Sequence, residues 1–118
     1  MNKVILMGRP TKDPEVRYST GEKQIAVARY TLAVDRRYRN EDQSADFIPC
    51  LCFGKLAEAC EKYLHKGTKI VVSGRLQTGN YTNKEGQRVF TTEVVVEEMN
   101  FAESKSRAPE TETDAPAE

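Results

Sequence analysis

The hydrophobic period of this chain changes twice, and that confines what it can fold into. Up to residue 53 the apolar residues fall in short runs with strand-like alternation. Between residues 54 and 64, Leu56, Ala59, Cys60, Tyr63 and Leu64 recur at helical spacing. From residue 69 the alternation of a strand returns, with Ile70, Val72, Gly74 and Leu76 on one face and Val71, Ser73 and Arg75 on the other. Residues 3–8, 25–34 and 47–53 read as strands before the helix, and residues 69–76 and 89–101 as strands after it. Residues 16–18 fit a short extra strand between the Asp13-Pro14 and Thr20-Gly21 turns, and Gly67 is placed to stop the helix. Polar residues 35–46 and 79–87 read as loops.

Three main strands, one helix and two further strands do not alternate as an α/β sheet does. They fit an all-β fold: a five-stranded OB-fold barrel with one short helix between strands 3 and 4, an arrangement whose strand face and loops bind oligonucleotides or oligosaccharides. A chain of 118 residues holds one such domain, over residues 1–101. Residues 102–118 lack any aromatic or large aliphatic side chain and are expected to be a disordered acidic tail. No apolar run approaches a membrane span, and the first residues lack the apolar core of a signal peptide, so a cytoplasmic location is expected.

The formal net charge is zero, with 18 bases and 18 acids, but the charge is unevenly placed. Residues 102–118 hold two of the bases and five of the acids, which leaves a body of 16 bases and 13 acids. A body of +3 with a tail of −3 suits an anion-binding domain with an acidic appendage.

Aromatic and basic residues occur together in that body. Tyr38 lies among Arg36, Arg37 and Arg39; Phe53 precedes Gly54-Lys55; Tyr81 has Lys84 and Arg88 beyond it. A flat ring stacks on any base while a neighbouring cation holds the phosphate, irrespective of sequence. In residues 47–53, strand parity puts Phe47, Pro49, Leu51 and Phe53 on one face and Ile48, Cys50 and Cys52 on the other. The second set looks like core, which weakens the usual reading of a strand phenylalanine as core and supports Phe47 and Phe53 as one stacking face. Tyr38 and Tyr81 are assigned to loops flanking that face. Tyr18, Tyr30, Tyr63, Phe90 and Phe101 are assigned structural roles. Pro49 removes a ladder hydrogen bond and points to an edge or a bulge.

Other chemistries find little support. Cys50, Cys52 and Cys60 with His65 lack the paired spacing of a zinc site, so the cysteines read as buried, reduced, small apolar residues. There is no glycine-rich phosphate loop, HExxH or paired-carboxylate motif, and no cofactor or catalytic function is expected.

These segments resemble a known family. Residues 2–9 (Asn-Lys-Val-Ile-Leu-Met-Gly-Arg), 13–18 (Asp-Pro-Glu-Val-Arg-Tyr), 53–58 (Phe-Gly-Lys-Leu-Ala-Glu), 63–67 (Tyr-Leu-His-Lys-Gly), 74–78 (Gly-Arg-Leu-Gln-Thr) and 92–96 (Thr-Glu-Val-Val-Val) resemble, in order, bacterial-type single-stranded DNA-binding proteins. The resemblance implies an OB-fold that assembles as a homotetramer. It also implies sequence-independent single-stranded DNA binding in replication, recombination and repair, on the nucleoid. Its stacking positions map onto Tyr38, Phe47, Phe53 and Tyr81. Lys3, Arg17, Arg36, Arg37, Arg39, Lys55, Arg75, Lys84 and Arg88 are the candidate phosphate ligands. The chain departs from the family in having no tryptophan, in Pro49, and in a tail that lacks the Pro-Phe tip through which the family recruits replication and repair proteins. The rival expectation is an OB-fold accessory of a primosome or recombination complex that acts mainly through protein partners.

Overall fold

The computed structural model describes residues 1–21, 23–37 and 44–102. Six strands and one helix follow in the order β1 (Val4–Pro10), β2 (Glu15–Tyr18), β3 (Ala26–Asp35), β4 (Ala45–Phe53), α1 (Lys55–Tyr63), β5 (Ile70–Thr82) and β6 (Arg88–Phe101). Hydrogen bonding runs β1-β5-β6-β4-β3-β2, and β1 also pairs with β3 through Arg9–Ala33 and Pro10–Leu32. That last pairing closes β1, β5, β6, β4 and β3 into a five-stranded ring, leaving β2 as an appendage on β3. Among the described residues only the β4–β6 pairing is parallel. The expected barrel, with its helix between the third and fourth strands of the ring, is therefore present.

Closure depends on two glycines. A Cβ on Gly8 would lie 2.3 Å from the Ala33 carbonyl oxygen, where β1 crosses onto β3. A Cβ on Gly74 would lie 2.0 Å from the Val95 carbonyl oxygen, at the register shift between Ser73 and Gly74 where β6 carries the extra residue Glu97. Register shifts of this kind bend a flat sheet into a barrel.

The core is built from the inward residues of each strand. It includes Ala28, Tyr30 and Leu32 from β3, Cys50 and Cys52 from β4, Ile70 and Val72 from β5, and Val94 and Val96 from β6. Each fully buried Leu, Ile or Val contributes roughly 1.5–3 kcal/mol. The helix covers one end of the barrel with Ala57 and Cys60, and Leu64 follows as its cap. The buried helical stripe is thus Ala57-Cys60-Leu64. Tyr63, expected within it, is 55% exposed, because the helix ends there and turns its last residue outward. Gly54, at φ 66°, makes the turn into the helix, and its N–H donates to the Ala26 carbonyl at 2.8 Å.

The reading of residues 79–87 as a loop is corrected. β5 runs to Thr82 and β6 starts at Arg88, so only residues 83–87 form the turn. Asn83 closes that turn: its Oδ1 accepts from the N–H groups of Glu85 at 3.0 Å and Gln87 at 2.9 Å. The arm extends beyond the barrel and is wet on both faces. Its sequence therefore carries no apolar alternation by which a strand could be recognised.

All three cysteines are free and buried. Cys52 Sγ lies 3.6 Å from Cys60 Sγ, and Cys60 Sγ 4.0 Å from Met99 Sδ, so sulfur packs β4, α1 and β6 together. His65 is exposed and takes no part. Among the described residues no helix is long and apolar enough to cross a membrane.

Replacing Gly74 by Ala forces a methyl group into the Val95 backbone. It should cost about 3 kcal/mol, read as a lowered urea midpoint; an unchanged midpoint would show that the bulge tolerates a side chain. Burial pushes the Cys50 thiol up to about 12 from 9.0 and raises the Tyr30 hydroxyl from 10.0. Both groups are neutral when folded and ionise more readily when unfolded. Their stabilisation is therefore complete below about pH 9 and declines as pH rises above it. The melting temperature should fall between pH 9 and 11, and a flat profile would contradict this.

Candidate nucleic-acid interface

Strand register assembles one outer face from β3, β4, β6 and β5. Directly paired residues on neighbouring strands point to the same side. β3 and β4 pair over nine positions, among them Val27–Phe53, Arg29–Leu51, Thr31–Pro49 and Ala33–Phe47. Leu51 pairs with Val95 of β6, and Val95 with Arg75 of β5. Gln77, Gly79 and Tyr81 continue on the side of Arg75. Phe47, Phe53 and Tyr81 thus share a single face and are 59%, 47% and 56% exposed. Phe53 lies six positions beyond Phe47, roughly 20 Å along the strand.

The neighbours of these rings leave room above them. Phe47 sits beside Ala33, and Tyr81 two residues beyond Gly79, so no bulky side chain covers either ring from those positions. Phe53 is held at the strand end by the Gly54 turn, with exposed Lys55 opening the helix immediately after it. Arg17 pairs with Val27, which pairs with Phe53, so this cation stands in the same cross-strand row as the ring.

Not every sequence-predicted cation is equally available. Arg36 is committed to Asp46, its Nε and Nη2 donating to Oδ1 at 3.0 and 2.8 Å. Arg75 donates to Gln77 Oε1 at 3.2 Å, and its Nε lies 3.7 Å from Glu97 Oε2. Arg17 is 3.2 Å from Glu15 in a highly exposed pair, a contact worth little in water. Lys3, Lys55 and Lys84 are exposed. Lys3 precedes Val4, which pairs with Gly74, and this brings it level with Arg75. Lys84 is in the arm's turn. Arg88 pairs with Thr82 and belongs to the arm face opposite Tyr81, away from the rings. Arg37 is exposed. Tyr38 and Arg39 lie outside the described residues, as does the tail from residue 103.

Several residues differ from expectation. Tyr81 is in a strand rather than a loop, which places it more firmly on the face. Leu51, on the same side as the two phenylalanines, is only 3% exposed. Of the aromatics assigned structural roles, only Tyr30 is core; Phe90, Tyr63, Tyr18 and Phe101 are 74%, 55%, 46% and 45% exposed. The Tyr18 hydroxyl donates to Glu61 Oε1 at 2.7 Å, tying β2 to the helix, and that bond raises its pKa. Two charged residues of the face, Arg29 and Glu93, are not among the sequence-predicted ligands, each being a single charge within a strand. Their outward parity opposite Ala28, Tyr30 and Val94 was the available signal.

With this geometry established, comparison with known proteins is decisive. Residues 1–102 match the single-strand binding protein family. The chain belongs to that family. It is 49% identical over 104 residues to a single-stranded DNA-binding protein of Clostridium perfringens, spanning 88% of this chain and 67% of the relative. It is 52% identical to single-stranded DNA-binding protein 3 of Clostridium acetobutylicum, over 87% of this chain and 72% of the relative. A single-stranded DNA-binding protein of Enterococcus faecalis is 49% identical over 90% of this chain and 56% of its own length.

If Phe47 and Phe53 are surface rings, replacing either by Ala should change unfolding free energy by less than about 1 kcal/mol. Leu51→Ala should instead cost roughly 2–5 kcal/mol. Urea denaturation of the three variants checks this, and a large loss for either phenylalanine would assign it to the core.

Proposed function

We propose that this protein binds single-stranded DNA without sequence preference, along the outer face that carries Phe47, Phe53 and Tyr81. The observation that carries the proposal is the exposure of three rings on one side of a sheet, in a member of the single-strand binding family. Exposed aromatics cost free energy in water, and bases stacking on them recover it. Duplex DNA hides its base faces and cannot use such rings. Lys3, Arg17, Lys55 and Lys84 neutralise phosphates and release counterions, assisted by Arg75 where it leaves its carboxylate. Arg37, Tyr38 and Arg39 are further proposed DNA contacts, while Arg36, bound to Asp46, serves chiefly to hold the strand ends. The work done is binding and protection of exposed strands in replication, recombination and repair, with no bond made or broken. Family membership favours this over the accessory-protein alternative.

Assembly as a homotetramer belongs to the same proposal. Ile5 and Met7 of β1 are 65% and 51% exposed on the outer surface, beyond β5 from the phenylalanines and paired with Ser73 and Val71. Phe90 and Leu76 lie on the arm face opposite Tyr81. These apolar surfaces suit contact with further copies of the chain. A cytoplasmic, nucleoid-bound location follows from the DNA partner.

Titration with oligo-dT and with a duplex of equal length tests the central proposal. Tight oligo-dT binding, at least 100-fold stronger than duplex binding, is expected, with about 10-fold or more lost in Phe53→Ala, as one stacked base is worth roughly 1–3 kcal/mol in single-strand binders. Equal affinity for both nucleic acids would overturn it.

A further inference from the structure

Arg29 Nη1 donates to Glu93 Oε2 at 2.7 Å. Arg29 is on β3 and Glu93 on β6, and these strands are not neighbours, because β4 lies between them. Strands are about 4.8 Å apart, so the ion pair bridges roughly 10 Å over the outer surface of β4. Arg29 is level with Leu51, and the pairing of Cys50 with Val94 sets Glu93 level with Pro49. The guanidinium therefore crosses β4 between the Phe47 and Phe53 positions. Leu51, paired with Arg29 on this path, faces outward and yet is only 3% exposed. The side chains are unequally wet: Arg29 is 56% exposed and Glu93 22%. One guanidinium donor is used by Glu93, and an arginine has five.

We propose that Arg29 is a further phosphate ligand at the centre of the binding face, and that Glu93 sets how strongly it acts by holding and partly neutralising it. This rests on the proposed single-strand binding. A strand passing from one phenylalanine to the other must cross the bridge, and its phosphates meet a guanidinium already extended and oriented. That orientation spares some of the entropy of ordering a long side chain. The cost is charge: the nearby carboxylate repels phosphate and cancels much of the attraction. Glu93 thereby lowers affinity while keeping Arg29 in position, which suits a protein whose strands must be released. Asp13 and Glu15 line the adjoining groove with Glu93 and add to the negative potential there, while Lys12 in the same groove offsets part of it.

The test uses the full chain and oligo-dT, with dissociation constants measured across salt concentrations and thermal melts run in parallel. Glu93→Gln keeps a hydrogen-bond acceptor and removes the charge. It should tighten binding about 3-fold or more at low salt and steepen the salt dependence by up to about 0.7, the value of one single-strand phosphate contact. Arg29→Gln should weaken binding about 10-fold and flatten the salt dependence. Should Glu93→Gln melt below the assay temperature, Arg29→Lys and Arg29→Gln decide: Lys retains the salt slope and Gln loses it. Unchanged or weaker binding by a folded Glu93→Gln, or an unchanged slope in Arg29→Gln, overturns the proposal while wild-type binding leaves the function standing. A wild type that ignores oligo-dT overturns both.

Discussion

The nine-position pairing of β3 with β4 is the constraint on which the rest of the molecule depends. β4 contributes side chains to both of its surfaces. Cys50 and Cys52 enter the core, while Phe47 and Phe53 leave it. A slip of one residue would bury the two rings and expose the two thiols. Register is therefore fixed by the core, and the core in turn fixes the binding face. The parallel contact with β6 locks the other edge of β4 and carries the face on to β5 and Tyr81.

Electrostatics divides the work differently from packing. Several candidate cations are already matched with carboxylates: Arg29 with Glu93 and Arg75 near Glu97 on the face, and Arg36 with Asp46 at the strand ends. Exposed pairs of this kind contribute little to stability, generally below about 1 kcal/mol. Their larger effect is on the potential that an incoming phosphate meets. Stacking consequently sets where bases settle, and competition between carboxylates and phosphates sets how salt-dependent the binding is. The chain as a whole has no net charge, so long-range attraction comes from the local placement of its bases rather than their number.

Much of this was legible in the sequence, for definable reasons. The strand and helix order could be read because the barrel buries one face of each strand and the helix buries one stripe, which leaves a period. Parity in residues 47–53 separated rings from core correctly. The period failed where burial was not one-sided. The arm around Tyr81 is exposed on both faces and looked like a loop. Leu51 shares the outward side of the two phenylalanines and is nonetheless buried, which parity alone does not reveal. In the helix Ala57 is buried where the spacing pointed to Ala59 and Tyr63, because the docking angle of a short helix is set by the strands beneath it. Phe90 was assigned to structure by residue type, but its position beyond the barrel leaves it in water. Charge pairing across three strands is invisible to any local reading: parity turns Arg29 and Glu93 outward but does not set them against each other.

The central claim is that a single outer face, from β3 through β4 and β6 to β5, receives the strand. The most direct measurement is a backbone and aromatic NMR titration with oligo-dT. The account predicts that shifts concentrate at Phe47, Phe53, Tyr81, Arg29 and their outward neighbours, with inward residues such as Leu32 and Val72 little changed. Shifts centred instead on Ile5 and Met7 of β1, or on the exposed side of the helix, would place the strand elsewhere and contradict it.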